Sequence, residues 1–134
     1  MFIAEFDKRN YTLKYVNAGH NLPVMIMDGQ VQTLYKGCTI LGAFPELKEV
    51  EIGTIQINNE ALILSFTDGL TDVRNEKGNI FDENFLIQFS QQNEFSSASI
   101  FNKLLMEEIN RFKGDQDYPD DITVLTCKIF SRKK

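Results

Sequence analysis

Two short acidic segments hold the residue types best suited to chemistry. In Ser65-Phe66-Thr67-Asp68-Gly69-Leu70-Thr71-Asp72, a carboxylate and a glycine stand where the almost wholly apolar run Ala61-Leu62-Ile63-Leu64-Ser65-Phe66 ends. Strand ends are rigid platforms for ligands. Asp68 would project from a sheet edge, and Gly69 would let a backbone carbonyl approach a cation with no side chain in the way. In Tyr118-Pro119-Asp120-Asp121-Ile122-Thr123, two adjacent acids precede the last apolar stretch. Their repulsion is relieved when one of them faces a cation, although two hydrated acids in a loop tolerate it nearly as well. Taken alone, each segment is an ordinary turn. If the strand of residues 63–66 neighbours that of 123–125, Asp68 and Asp120 emerge at one sheet edge. A hard, oxygen-preferring cation such as magnesium or manganese could then sit between them.

A third segment, Tyr15-Val16-Asn17-Ala18-Gly19-His20-Asn21-Leu22-Pro23, contains the single histidine of the chain. That histidine could be an acid, a ligand or a scaffold residue. A histidine between asparagines is well placed to fix a tight loop, which favours the scaffold role. No Ser-His-Asp arrangement can be assembled, and neither GxGxxG nor GxxxxGK[ST] occurs, so nucleotide binding has no support.

The elements that must position these residues are read from periodicity. Residues 2–7 alternate as a strand, and Asp7-Lys8-Arg9-Asn10 turns the chain into a second strand over 11–17. Val24-Met25-Ile26-Met27 and Val31-Gln32-Thr33-Leu34-Tyr35 flank Asp28-Gly29, a hairpin turn. Gly37, Gly42 and Pro45 make 36–49 an irregular connection. Strand resumes over 49–57, and after Asn58-Asn59 the run 61–66 reads as a strand buried on both faces. Asp82 can cap a helix to about Gln91. Ser96 or Ser97 can cap a longer one that buries Ile100, Leu104, Leu105 and Ile109 and ends near Gly114. A last strand covers 122–130. Strands first, then two helices, then a returning strand favour an α+β fold, an antiparallel sheet with helices packed on one face.

Composition narrows the class. The 134 residues are 43% hydrophobic and 25% charged, the range of one globular domain with one core. A net charge of −5 and a pI near 4.9 argue against a nucleic-acid partner. The basic end Arg132-Lys133-Lys134 reads as a solvated terminus. Cys38 and Cys127 lie far apart without CxxC spacing, so a zinc site is not expected. Buried thiols in a reducing cytoplasm are. No apolar stretch approaches the ~20 residues of a membrane span, and no signal pattern opens the chain. No membrane association is expected.

The succession Tyr15-Val16-Asn17-Ala18-Gly19-His20-Asn21, Leu41-Gly42, Ser65 to Asp72 and Asp120-Asp121-Ile122-Thr123 resembles the metal-dependent protein phosphatases (PPM) of the SpoIIE/RsbU type. The resemblance covers nearly the whole chain. It implies an antiparallel β-sandwich between helical layers, with a dinuclear manganese or magnesium centre at one end of the sheets. Carried over by position, Asp68 and Asp120 are metal ligands and catalytic residues, while Gly69 and Asp121 border the site. In such enzymes a metal-activated water attacks a phosphoserine or phosphothreonine without a covalent intermediate.

Two departures qualify the match. The family's upstream Asp-x-x-Gly-[His/Lys]-Gly motif, whose aspartate bridges both metals, does not occur here, and Asp72 stands where many relatives carry Glu. The resemblance therefore implies residues 1–134 to be the C-terminal portion of one phosphatase domain, N-terminally truncated by roughly 80 to 100 residues. Too few ligands would remain to hold two ions tightly, and activity would be poor. Exposed strand edges would invite a homodimer. By analogy, the domain is the output of a cytoplasmic bacterial signalling protein, a two-component or stress-response regulator with an upstream sensor or response-regulator receiver domain. Its partner is then a phosphorylated regulatory protein, of the anti-sigma-factor-antagonist type. The rival reading is a catalytically inactive phosphatase-like interaction module, and a third is a plain α+β scaffold.

Overall fold

The computed structural model describes residues 1–47, 49–94 and 96–130. Strands β1 (Phe2–Asp7) and β2 (Thr12–Ala18) pair in antiparallel register from Phe2↔Asn17 to Asp7↔Thr12. Their turn is closed by the Asp7 carboxylate, which accepts from the Arg9 amide at 2.8 Å, and by Asn10 Oδ1, which accepts from the Thr12 amide at 3.1 Å. Strands β3 (Val24–Met27) and β4 (Gln30–Thr33) leave only Asp28 and Gly29 between them. Both carry positive φ, +55° and +74°. The Asp-Gly turn is therefore the tight mirror-image type that matches strand twist.

Four further strands follow: β5 (Gly37–Cys38), β6 (Gly53–Gln56), β7 (Ala61–Phe66) and β8 (Val124–Ile129). One sheet holds β1, β2, β5 and β6, with β6 antiparallel to β2 and β5 parallel to its end. The other has the order β4-β3-β7-β8, all antiparallel. Between α1 (Asp68–Thr71) and β8 come α2 (Glu83–Gln92) and α3 (Ala98–Lys113).

Side-chain alternation on β7 builds the core. Ala61 and Ile63 face the first sheet, among Leu13 and Tyr15 of β2, Met25 of β3 and Ile129 of β8. Leu62, Leu64 and Phe66 face Leu86 of α2 and Phe101, Leu105 and Ile109 of α3. The layers are thus sheet, sheet and helices, an α+β sandwich. The resemblance implied two helical layers. Among the described residues α2 and α3 form one, packed on the sheet of β3, β4 and β8.

Several local expectations are corrected. Of the two serines expected to cap α3 it is Ser97 that does so, its hydroxyl accepting from the Ile100 amide at 3.3 Å, while the expected inward stripe shifts. That start turns the 101, 105, 109 stripe inward, so Phe101 is buried while Ile100 is 54% exposed. Cys127 is exposed, not buried. It lies on edge strand β8, opposite Ile63 in the register. There the mouth between the sheets stays open, an apolar groove lined by Phe2, Phe6, Leu125, Cys127 and Phe130. The connection over 36–49 contains β5, and β6 covers only four of the nine residues expected as strand. The acidic turn at Asp68 is the first residue of a helical turn, α1.

Candidate metal centre

Register alone brings three loops to one end of the sandwich. Antiparallel pairing sets Phe66 opposite Val124 and Leu64 opposite Val24. The residues just after β7, just before β8 and just before β3 therefore share a sheet end. Asp68, Asp120 and the His20 loop belong to it.

Thr67 joins the first two. Its amide donates to Thr123 O at 3.1 Å, extending the ladder past Phe66. Its hydroxyl donates to Asp121 O at 3.3 Å and accepts from the Thr123 amide at 3.0 Å. Gly69 is buried, and a Cβ placed on it would lie 2.4 Å from Asp121 O and 3.4 Å from Asp120 O. Only a residue without a side chain lets the Asp120-Asp121 backbone lie this close. Asp68 Oδ1 accepts from the Gly69 amide at 3.1 Å, and Asp120 Oδ1 from the Asp121 amide at 2.7 Å. Both aspartates are exposed to solvent. The structure thus brings together Asp68, Gly69, Asp120 and Asp121, the last two against Gly69 through their backbones.

Thr67, within the Ser65–Asp72 motif, is not among the residues that the motif itself marks as site residues. A threonine closing a buried strand immediately before Asp-Gly was the available signal, because a side-chain hydroxyl there can bond backbone groups that the ending ladder leaves unpaired.

The histidine loop is fixed by Asn17, which is 4% exposed. Its carboxamide accepts from the His20 amide at 2.8 Å and donates to His20 O at 3.0 Å. The imidazole Nδ1 lies 2.7 Å from Asn21 O. A carbonyl only accepts, so Nδ1 carries the proton in that contact. These bonds match the scaffold role.

The donor chemistry at the β7–β8 end suits a hard cation, since carboxylates and carbonyls are the ligands magnesium and manganese take. The supply is short: among the described residues no group of three or more His, Cys, Asp or Glu could hold a metal ion. Two carboxylates make a partial site.

Comparison with known proteins agrees with this layout. The family described as Stage II sporulation protein E (SpoIIE) matches residues 1–130. Protein IcfG of Synechocystis sp. is 28% identical over 127 residues, covering 93% of this chain and 20% of that protein. The SiaA-PP2C domain of Pseudomonas aeruginosa superposes with a TM-score of 0.81 at 18% identity, over 98% of this chain and 51% of that one. The manganese-presoaked phosphatase domain of the cell fate determinant SpoIIE from Bacillus subtilis gives 0.74 at 19%, over 100% and 58%. The chain therefore spans a fifth of IcfG and between half and three fifths of these two solved domains. With the strand ends, the acids and the histidine loop arranged as above, and the family matched from end to end of the described fold, the chain belongs to the SpoIIE family of PPM-type phosphatase domains.

Proposed function

We propose that this chain is part of a manganese- or magnesium-dependent protein serine/threonine phosphatase domain in a bacterial signalling protein, and that Asp68 and Asp120 hold the cation. The observation that carries the reading is the Thr67 bridge, which ties the Asp68 turn to the Asp120-Asp121 segment where β7 and β8 pair. When bound, the divalent ions would supply an acidified water and neutralise phosphoryl charge. The chain's own part is to offer carboxylate oxygens from a rigid strand end and, through Gly69, to bring a carbonyl-bearing segment against them. Each such ion takes about six oxygens, of which these two acids supply a part; water, substrate oxygens and, on our reading, donors from the part of the domain that this chain does not span complete the set. The coverage of solved phosphatase domains supports that view. A phosphorylated regulatory protein, of the anti-sigma-factor-antagonist type, is the proposed substrate, and the cytoplasm the proposed compartment.

Manganese titration of the chain tests the ligands. Binding should weaken at least ~10-fold in both Asp68→Ala and Asp120→Ala, the usual scale for losing one ligand or its supporting group. Equal affinity in wild type and both variants sinks the assignment. Activity on a phosphoserine peptide should require a longer chain that supplies the missing donors. The rival reading is a phosphatase-like interaction module without catalysis. A longer chain that binds manganese and still leaves the peptide intact would establish that rival.

A further inference from the structure

Glu94 is a buried acid, 4% exposed, far from the candidate centre. It lies against the β3–β4 turn, and Met27 at that turn pairs with Ala61, the end of β7 opposite Asp68. Acids are seldom buried without a partner. Here the Glu94 Oε2 accepts from the Gly29 amide at 2.8 Å. Gln91 Nε2 donates to Gly29 O at 3.3 Å, and Asn59 Nδ2 donates to Asp28 Oδ1 at 2.8 Å. Glu94 is itself held, because Lys128, with a side chain 4% exposed, donates to Glu94 O at 2.6 Å. An Asp-Gly turn with positive φ at both residues closes a hairpin without such help.

Asp-Gly carries a chemical liability that the help addresses. Glycine has no side chain to screen its amide nitrogen, so that nitrogen can attack Cγ of the preceding aspartate. A C–N bond forms, and one carboxyl oxygen leaves as water with the amide proton and the acid's own proton. Water then opens the succinimide at its main-chain carbonyl. The chain afterwards runs through the former side-chain carboxyl, as isoaspartate. No oxidant, reductant or other co-reactant is needed.

The sequence has two Asp-Gly pairs, Asp28-Gly29 and Asp68-Gly69, and no Asn-Gly. Gly69 is buried and pressed against the Asp121 backbone. Asp28 and Gly29 are both exposed at a hairpin tip, where only the bonds just described restrain them. Ring closure there requires the Gly29 nitrogen to leave Glu94 and the Asp28 carboxyl to leave Asn59.

We propose that Asp28-Gly29 is a modification site at which aspartate isomerises to isoaspartate, and that Glu94 guards it by holding the Gly29 amide. Isomerisation would add a backbone atom to a turn of two residues, and the tight Met27↔Gln30 pairing would be lost. The phosphatase reading plays no part in this inference.

The full chain is incubated at neutral pH, and isoaspartate at residues 28 and 68 is read separately by mass spectrometry of the digested protein. In the wild type both positions should react far more slowly than in denaturant. Glu94→Ala should raise the rate at residue 28 about 10-fold, the effect on local opening of losing a hydrogen bond to a charged group, and leave residue 68 unchanged. Glu94→Gln keeps the shape and weakens the acceptor, so the same selective rise should appear with a smaller factor. It decides the matter if Glu94→Ala does not fold. Three results overturn the proposal: a wild-type rate at residue 28 equal to that in denaturant, no rise at residue 28 in the folded variant, or an equal rise at both positions.

Discussion

The two sheets differ in what covers them, and the candidate centre sits on the better-covered one. On β7 five of six residues are buried, with the sheet of β1 and β2 on one side and α2 and α3 on the other. On β1 none is buried, and Ile3 is 55% exposed. A strand packed on both faces cannot shift without disturbing two cores, so the residues at its end inherit a fixed position. The candidate carboxylates thus stand just beyond the end of β7 and just before β8, beside the strand packed on both faces.

Core truncation breaks that contrast most sharply. Leu62→Ala should cost ~2–5 kcal/mol, because Leu62 is fully buried between β7 and the helices, whereas Ile3→Ala should stay within about 0.5 kcal/mol. Chemical denaturation of the two variants side by side decides it, and comparable losses would mean that the layers are equally essential.

Gly69→Ala comes next. The added methyl would stand 2.4 Å from Asp121 O, and the contact is with backbone, which cannot swing aside. A loss of ~1–3 kcal/mol is expected, together with weaker manganese binding in titration. Unchanged affinity would show that the Asp120-Asp121 segment need not lie against Gly69.

Thr67→Val keeps the shape and removes the hydroxyl bonds to Asp121 O and the Thr123 amide. In this solvent-accessible setting the cost should be about 1 kcal/mol. Hydrogen exchange at Thr123 should accelerate, and an unaltered rate would deny Thr67 its bridging role.

The smallest effect concerns alkaline pH. The Glu51 carboxylate, by hydrogen bond and charge, holds the Lys36 ammonium above its ordinary pKa of 10.5. Burial, the largest influence on Tyr15, raises its phenol above 10.0. Both groups keep their protons longer in the folded than in the unfolded chain. The stability they contribute is complete below the unfolded values and fades as pH rises through the folded ones. Melting temperature should therefore decline more steeply above about pH 10, and Tyr15→Phe should flatten part of that slope.

Elements with local signals are legible in the order of the residues. The alternation of 2–7, the Asp28-Gly29 turn and the apolar run 61–66 set β1, the β3–β4 hairpin and β7, and the Asp82 cap set the start of α2. Motif order likewise singled out Asp68, Gly69, Asp120 and Asp121 before any coordinate. Non-local features come from the folded chain alone. Whether β7 pairs with β8, which face α3 turns inward, and whether Cys127 is covered all depend on partners far along the chain. The closeness of Gly69 to Asp121 and the bridging by Thr67 arise only once fifty-odd intervening residues have folded back. Spacing names candidate ligands, because side-chain chemistry travels with the residue. Adjacency belongs to the register of paired strands, which packing of the whole sheet selects.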